Sequence, residues 1–163
     1  MKKLTNIALA ASALFMLAIP ATSQASSLYK GEKTLGITGG FATHNHSGYA
    51  GAYFQYTFVP HVRIAPEIDY VFRRHDSSAV KIDCDVQFPF RLARGFNIYP
   101  LAGLAFNAWS NTGARNECRV GGNVGAGFDL YMTSNLKVSI QGKYSFLKDV
   151  DGAFVGLGVG YVF

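Results

Sequence analysis

Two histidines and a serine stand together in the stretch His44-Asn45-His46-Ser47, and the grouping bears on two kinds of chemistry. A histidine that deprotonates a serine, itself oriented by an acid, makes an acyl-transfer nucleophile. Two histidines two residues apart are a weak pair of transition-metal ligands. The chain defines no third partner for either arrangement, and histidines in loops are ordinarily solvated. The sequence is therefore read as non-enzymatic, with no catalytic residue, no metal and no cofactor. Cys84 and Cys118 are the only cysteines. They form no Cys-x-x-Cys motif, so a redox site is not expected.

The other reactive groups are charges, and their spacing is informative. In Val62–Arg74, "VRIAPEIDYVFRR", the residues Arg63, Glu67, Asp69 and Arg73 take odd positions, while Val62, Ile64, Pro66, Ile68, Tyr70 and Phe72 take even ones. In Lys81–Leu92, Lys81, Asp83, Asp85, Gln87 and Arg91 alternate with Ile82, Cys84, Val86, Phe88, Phe90 and Leu92. In Asn135–Phe146, Lys137, Ser139, Gln141, Lys143 and Ser145 alternate with Leu136, Val138, Ile140, Tyr144 and Phe146. A period of two means extended strands with one apolar and one charged face. Arg119, Glu117 and Asp129 extend the charged face into a further segment.

Breaks rich in Gly, Asn, Asp, Ser or Pro separate these segments from others at 33–43, 48–58, 95–109, 117–132 and 152–163. The count is eight strands at roughly even spacing, with connections short enough for antiparallel neighbours. No segment after the first 25 residues has helical periodicity.

Those first residues read differently. Lys2 and Lys3 precede an uncharged apolar run from Ile7 to Ile19, followed by small residues at Ser23-Gln24-Ala25, the layout of a secretory signal. The run is shorter than the ~20 residues of a spanning helix, so residues 1–25 are expected to be removed and 26–163 to form one domain. The formal charge of +5 includes both lysines. The remainder is too mildly basic to imply a nucleic-acid partner.

Alternation of this kind suits two architectures. A soluble lipid-binding barrel places the apolar face inside; a transmembrane barrel turns it toward lipid. Two features favour the second. Outward aromatics fall at both strand ends, with Tyr56, Phe58, Phe88, Phe90, Phe128 and Phe163 at one rim and Tyr70, Phe72, Phe106, Tyr144 and Phe146 at the other, as membrane-interface girdles require. The charged face is balanced in sign, as an enclosed interior must be. The expected fold is all-β, an eight-stranded antiparallel up-and-down transmembrane β-barrel. Its interior, Arg63, Glu67, Asp69, Arg73, Lys81, Asp83, Asp85, Arg91, Asp129, Lys137 and Lys143, is expected to be a charge network leaving no open pore. Gly156, Gly158 and Gly160 leave space beside the last strand that long charged side chains can occupy.

The closing stretch Gly156–Phe163, "GLGVGYVF", resembles the C-terminal recognition signal of bacterial outer-membrane barrels, with Gly158, Tyr161 and Phe163 at the patterned positions. Over residues 26–163 the layout resembles the small outer-membrane β-barrel family, that of the OmpA transmembrane domain and OmpX. The resemblance implies a place in the outer membrane, barrel-assembly machinery and lipid as partners, and a role as envelope scaffold, surface-interaction protein facing a host, or accessory subunit of an envelope complex. Related barrels that remodel lipid A use a histidine with a serine and an acid, which keeps His44, His46 and Ser47 as a lesser alternative.

On this layout the connections near 44–48, 74–79, 110–117 and 147–152 face outward and those near 59–62, 92–97 and 133–135 face the periplasm. An exported cysteine pair tends to be joined, and a Cys84–Cys118 disulfide is expected, provided that the strand between them ends below their level. Two strand spacings, almost ~10 Å, would otherwise be too far. Pro66, Pro89 and Pro100 need an explanation, since proline removes a ladder donor from a sheet with no free edge.

Overall fold

The structure is a computed structural model that describes residues 30–43, 46–74, 77–111, 117–146 and 152–163. Residues 1–25 and His44 lie outside that range, as do the side chains of Arg73 and Cys118. The strands are β1 (Lys33–Ala42), β2 (Ser47–Val59), β3 (Val62–Arg74), β4 (Ser77–Gln87), β5 (Phe90–Ala93), β6 (Phe96–Asn111), β7 (Glu117–Tyr131), β8 (Leu136–Phe146) and β9 (Gly152–Val162). Each pairs antiparallel with its neighbours, and β9 closes onto β1 with Gly158 opposite Thr38 and Val162 opposite Thr34. β4 and β5 both pair with β6, so they are two parts of one stave and the barrel has eight.

The prolines account for that interruption. Pro89 lies in the gap between β4 and β5. Pro100 falls between the β5 partner Ile98 and the β4 partner Leu101, and its carbonyl accepts a hydrogen bond from the Phe88 amide at 3.0 Å. Backbone N and O of one residue point to the same side of a strand, so the donorless nitrogen of Pro100 faces the gap, where no ladder bond is lost. At Pro66 the β2–β3 register lapses between Tyr53↔Glu67 and Tyr56↔Ile64. A closed sheet thus carries three prolines, one between two strands and two where pairing lapses on one side only, since Pro66 still faces Cys84 and Pro100 still faces Ala126.

The segment after the interruption departs from the sequence reading. All four residues of β5 are exposed, so Arg91 stands outside the interior network. The tight turn at Arg94-Gly95, with Gly95 at φ 77°, doubles β5 back onto the start of β6 at the barrel's end, where alternation no longer sorts inside from outside.

Inside and outside are otherwise sorted as the period of two requires. Ile37 is 69% exposed and Val120 60%, whereas Lys81 and Lys137 are 0% exposed. Apolar residues cluster toward both ends of the interior. Ala42, Tyr49, Val71, Ala79 and Phe154 cluster on the side of the connections at 43–46 and 147–151, here the loop side. Tyr131 and Val162 meet on the side of the turns at 60–61, 94–95 and 132–135, here the turn side.

Inward glycines make room for tyrosines. A methyl at Gly156 would sit 2.1 Å from the Tyr49 hydroxyl oxygen, and one at Gly160 would sit 2.6 Å from that of Tyr53. The space beside the last strand is therefore filled by aromatic rings, not by the charged side chains the sequence reading allowed there.

Candidate functional site: the two faces of the barrel wall

The outer face is a continuous apolar band bounded by aromatic residues. Toward the loops, Tyr70 and Phe72 meet edge-to-face at 6.0 Å, and Tyr144 and Phe146 lie tilted at 4.9 Å. Toward the turns, Tyr56 lies 4.7 Å from Phe58, and Tyr161 stacks on Phe163 at 6.3 Å. These pairs are two residues apart on one strand, so alternation alone brings both rings to the same face. Phe163 is tied to β1 by its amide, which donates to the Lys33 carbonyl at 2.9 Å.

The inner face carries two polar clusters. On the loop side, the Lys143 ammonium lies 2.7 Å from Glu67 Oε2, 2.6 Å from Asp83 Oδ2 and 3.5 Å from Asp85 Oδ2. Lys81 also pairs with Asp83, and its ammonium sits 4.0 Å above the Phe154 ring. Asn123 donates to Asp85 Oδ1 at 3.2 Å, and Ser145 donates to Asn123 at 2.7 Å. Asp69 is buried in the same cluster.

On the turn side, Arg63 Nη1 lies 2.7 Å from Asp129 Oδ2, and Arg63 Nε donates to Gln87 Oε1 at 2.7 Å. Ser139 donates to Asp129 Oδ1 at 2.7 Å. Lys137 donates to Gln55 at 2.5 Å and to Thr34 Oγ1 at 3.1 Å, with Asp129 further off at 3.9 Å. The Arg63 guanidinium stacks over Tyr99 at 4.9 Å. Burial of this kind is tolerable only when each charge is paired and hydrogen-bonded.

Gln141 connects the clusters. Its Nε2 donates to Glu67 Oε2 at 3.0 Å, and its Oε1 accepts from the Tyr99 hydroxyl at 3.4 Å. Beside it lies a cavity of about 10 Å³, lined by Thr38, Tyr53, Glu67, Gln87, Ser139 and Gly158 among others. That is space for about one water molecule.

Of the sequence-expected network, Arg63, Glu67, Asp69, Lys81, Asp83, Asp85, Asp129, Lys137 and Lys143 are buried inside; Arg91 is not. Gln87, Ser139 and Gln141 stand on the polar face of the alternation, whereas Gln55, Asn123 and Tyr99 carry no formal charge to mark them as interior partners. Their position on the same alternating face was the signal. His46 lies in an exposed turn with φ 48°, whereas Ser47 starts β2 facing inward.

The expected disulfide is also not made. Cys84 is a free, exposed thiol. β6 runs the full height between the two cysteines, with Leu104 opposite Cys84 and Ala108 opposite Cys118. The intervening strand fails the condition on which the bond depended.

No protein-family model matches the chain, and no curated protein sequence matches it. Solved structures do. The N-terminal β-barrel domain of Pseudomonas aeruginosa OprF is 20% identical with a TM-score of 0.73, over 82% of this chain and 98% of that domain. The chain has the fold of the eight-stranded outer-membrane β-barrels. Neisserial surface protein A is similar at 16% identity and a TM-score of 0.66, over 81% of this chain and 96% of that one. Ail, the attachment invasion locus protein of Yersinia pestis, is similar at 19% identity and 0.59, over 83% and 100%. At these identities the likeness carries the fold, and the two faces of the wall must carry the rest.

Proposed function

We propose that this barrel is an integral bacterial outer-membrane protein of structural, surface-interaction or accessory-subunit role, with a filled interior and neither an open pore nor a catalytic centre. The observation that carries this reading is the inverted polarity of the wall: large apolar side chains ring the outside while lysines and carboxylates are buried within. A soluble lipid-binding barrel has the opposite arrangement. Burying apolar area stabilises by roughly 25 cal/mol per Å², and only lipid or detergent would cover a belt of this extent on a single chain. Lipid is thus the first partner.

Extraction tests the reading. The protein is expected to stay with outer membranes through alkaline carbonate and to be released by detergent, and the purified barrel should give no stepwise conductance in planar bilayers. Release by carbonate alone would reject membrane integration; steady single-channel currents would reject the filled interior.

The terminal strand supports a further part of the proposal, that Gly158, Tyr161 and Phe163 are read by barrel-assembly machinery. Tyr161 and Phe163 are exposed outward, on the strand that closes last onto β1. Phe163→Asp is expected to lower the amount of barrel in the outer membrane by about tenfold or more, since a charge there faces lipid, with unchanged synthesis as judged by total protein. Equal insertion of the variant and the native chain would remove the terminal signal from the proposal.

A further inference from the structure

The loop-side cluster leaves oxygens unused, and we propose that they form a calcium-class divalent cation site inside the barrel, made by Glu67, Asp69 and Asp83. The inference rests on the closed interior described above. Four buried carboxylates, those of Glu67, Asp69, Asp83 and Asp85, stand in one cluster with only two lysines, Lys81 and Lys143. The lysines engage one edge of the group: Glu67 Oε2, Asp83 Oδ2 and Asp85 Oδ2. The opposite edge is bare. Glu67 Oε1, Asp83 Oδ1 and both oxygens of Asp69 have no hydrogen-bond partner among the described residues.

Asp69 is the second and decisive observation. It is 1% exposed, and an ionised carboxylate that deep with neither oxygen satisfied is strongly unfavourable. Something must meet it. One carboxylate oxygen from each of Glu67, Asp69 and Asp83 lies within 4.8 Å of the others. Calcium accepts irregular oxygen sets at ~2.3–2.6 Å, whereas magnesium demands near-octahedral ligands at ~2.0–2.1 Å and gives up its waters reluctantly, which disfavours it in an enclosed cluster. Hard carboxylate oxygens without nitrogen or sulfur donors suit calcium, magnesium and manganese and disfavour softer ions such as zinc or copper.

The neighbouring strand is shaped to the group. Gly51 stands opposite Asp69 in the β2–β3 register, and a methyl there would lie 2.2 Å from both Asp69 Oδ1 and the Ile68 carbonyl oxygen. Bare backbone at Gly51 thus leaves the carboxylate room. The other way to relieve Asp69 is to protonate it, and the experiment must separate the two.

Calcium chloride is titrated calorimetrically into the folded, chelator-washed barrel in zwitterionic detergent, with magnesium chloride as a parallel arm. One calcium per barrel is expected, with magnesium at least tenfold weaker. Asp69→Asn and Glu67→Gln, checked for folding by heat-dependent gel mobility, should each weaken calcium at least tenfold. Because a variant could fail to fold, manganese broadening of the native barrel's amide resonances provides an independent reading. Broadening that begins at Gly51, Asp69 and Asp83 supports the site; broadening confined to the loops overturns it. Absence of calcium binding to the native barrel, as expected if Asp69 is simply protonated, overturns it also, as does undiminished binding by both folded variants. Because micelle solubility and heat-dependent mobility report barrel integrity separately, loss of the barrel itself is distinguishable from loss of the cation site.

Discussion

The two halves of the interior solve the same problem in different ways. On the turn side, Arg63 and Lys137 face one carboxylate, Asp129, and the deficit is covered by neutral acceptors, Gln87, Gln55 and Thr34. On the loop side, carboxylates outnumber the lysines they touch, and several oxygens are left without donors. Cations present several donors and are readily met by amide and hydroxyl oxygens; carboxylates accept only, and need donors or positive charge. Two glutamines and a threonine therefore supply most of the turn-side partners, leaving Arg63 Nη2 without one among the described residues, while the loop-side cluster depends on the placement of a few charges. The former reads as scaffold and the latter as a place where a ligand can act.

Removing Lys143 tests that dependence most severely. Lys143→Met takes away the ammonium shared by Glu67 and Asp83 while keeping most of the volume, and leaving buried charges uncompensated costs about 3–5 kcal/mol. Urea unfolding in micelles, followed by tryptophan fluorescence, should show this as the largest loss among single interior substitutions.

Arg63→Met sharpens the contrast. Asp129 would keep Ser139 at 2.7 Å and Lys137 at 3.9 Å, so the loss is expected to be smaller, about 2–3 kcal/mol against the ~3–5 of a fully orphaned pair. A loss equal to that of Lys143→Met would show that the neutral acceptors contribute little and would break the distinction between the halves.

A third change concerns the packing that both halves share. Gly156→Ala sets a methyl against the Tyr49 hydroxyl and should cost about 1–2 kcal/mol, in the lower range for overpacking. Tyr49→Phe removes the oxygen that the methyl would meet and should recover roughly half of the alanine's cost in the double variant. Additive losses would mean that the glycine is needed for a reason other than ring space.

Much of this molecule was legible from alternation. The charges of Val62–Arg74 and Asn135–Phe146 could be assigned to one face because a strand sends successive side chains to opposite sides, and one face too apolar for water must be the lipid side. Arg91 was misplaced for the same reason: parity was carried through Phe88-Pro89, where the strand breaks and the rule stops. The disulfide expectation turned on where the strand Phe96–Asn111 ends, and strand ends are set by tertiary pairing more than by local residue type.

The sequence by itself determined the fold class, the number of staves and the face to which most side chains belong, because each follows from a period of two and the turn residues that punctuate it. Only the tertiary structure decided which charges meet. Lys143 reaches Glu67 across a separation of 76 residues and Asp83 across 60, and such contacts arise from barrel closure and stagger. A one-dimensional pattern specifies that a residue faces inward; the curvature of the closed wall specifies what it finds there.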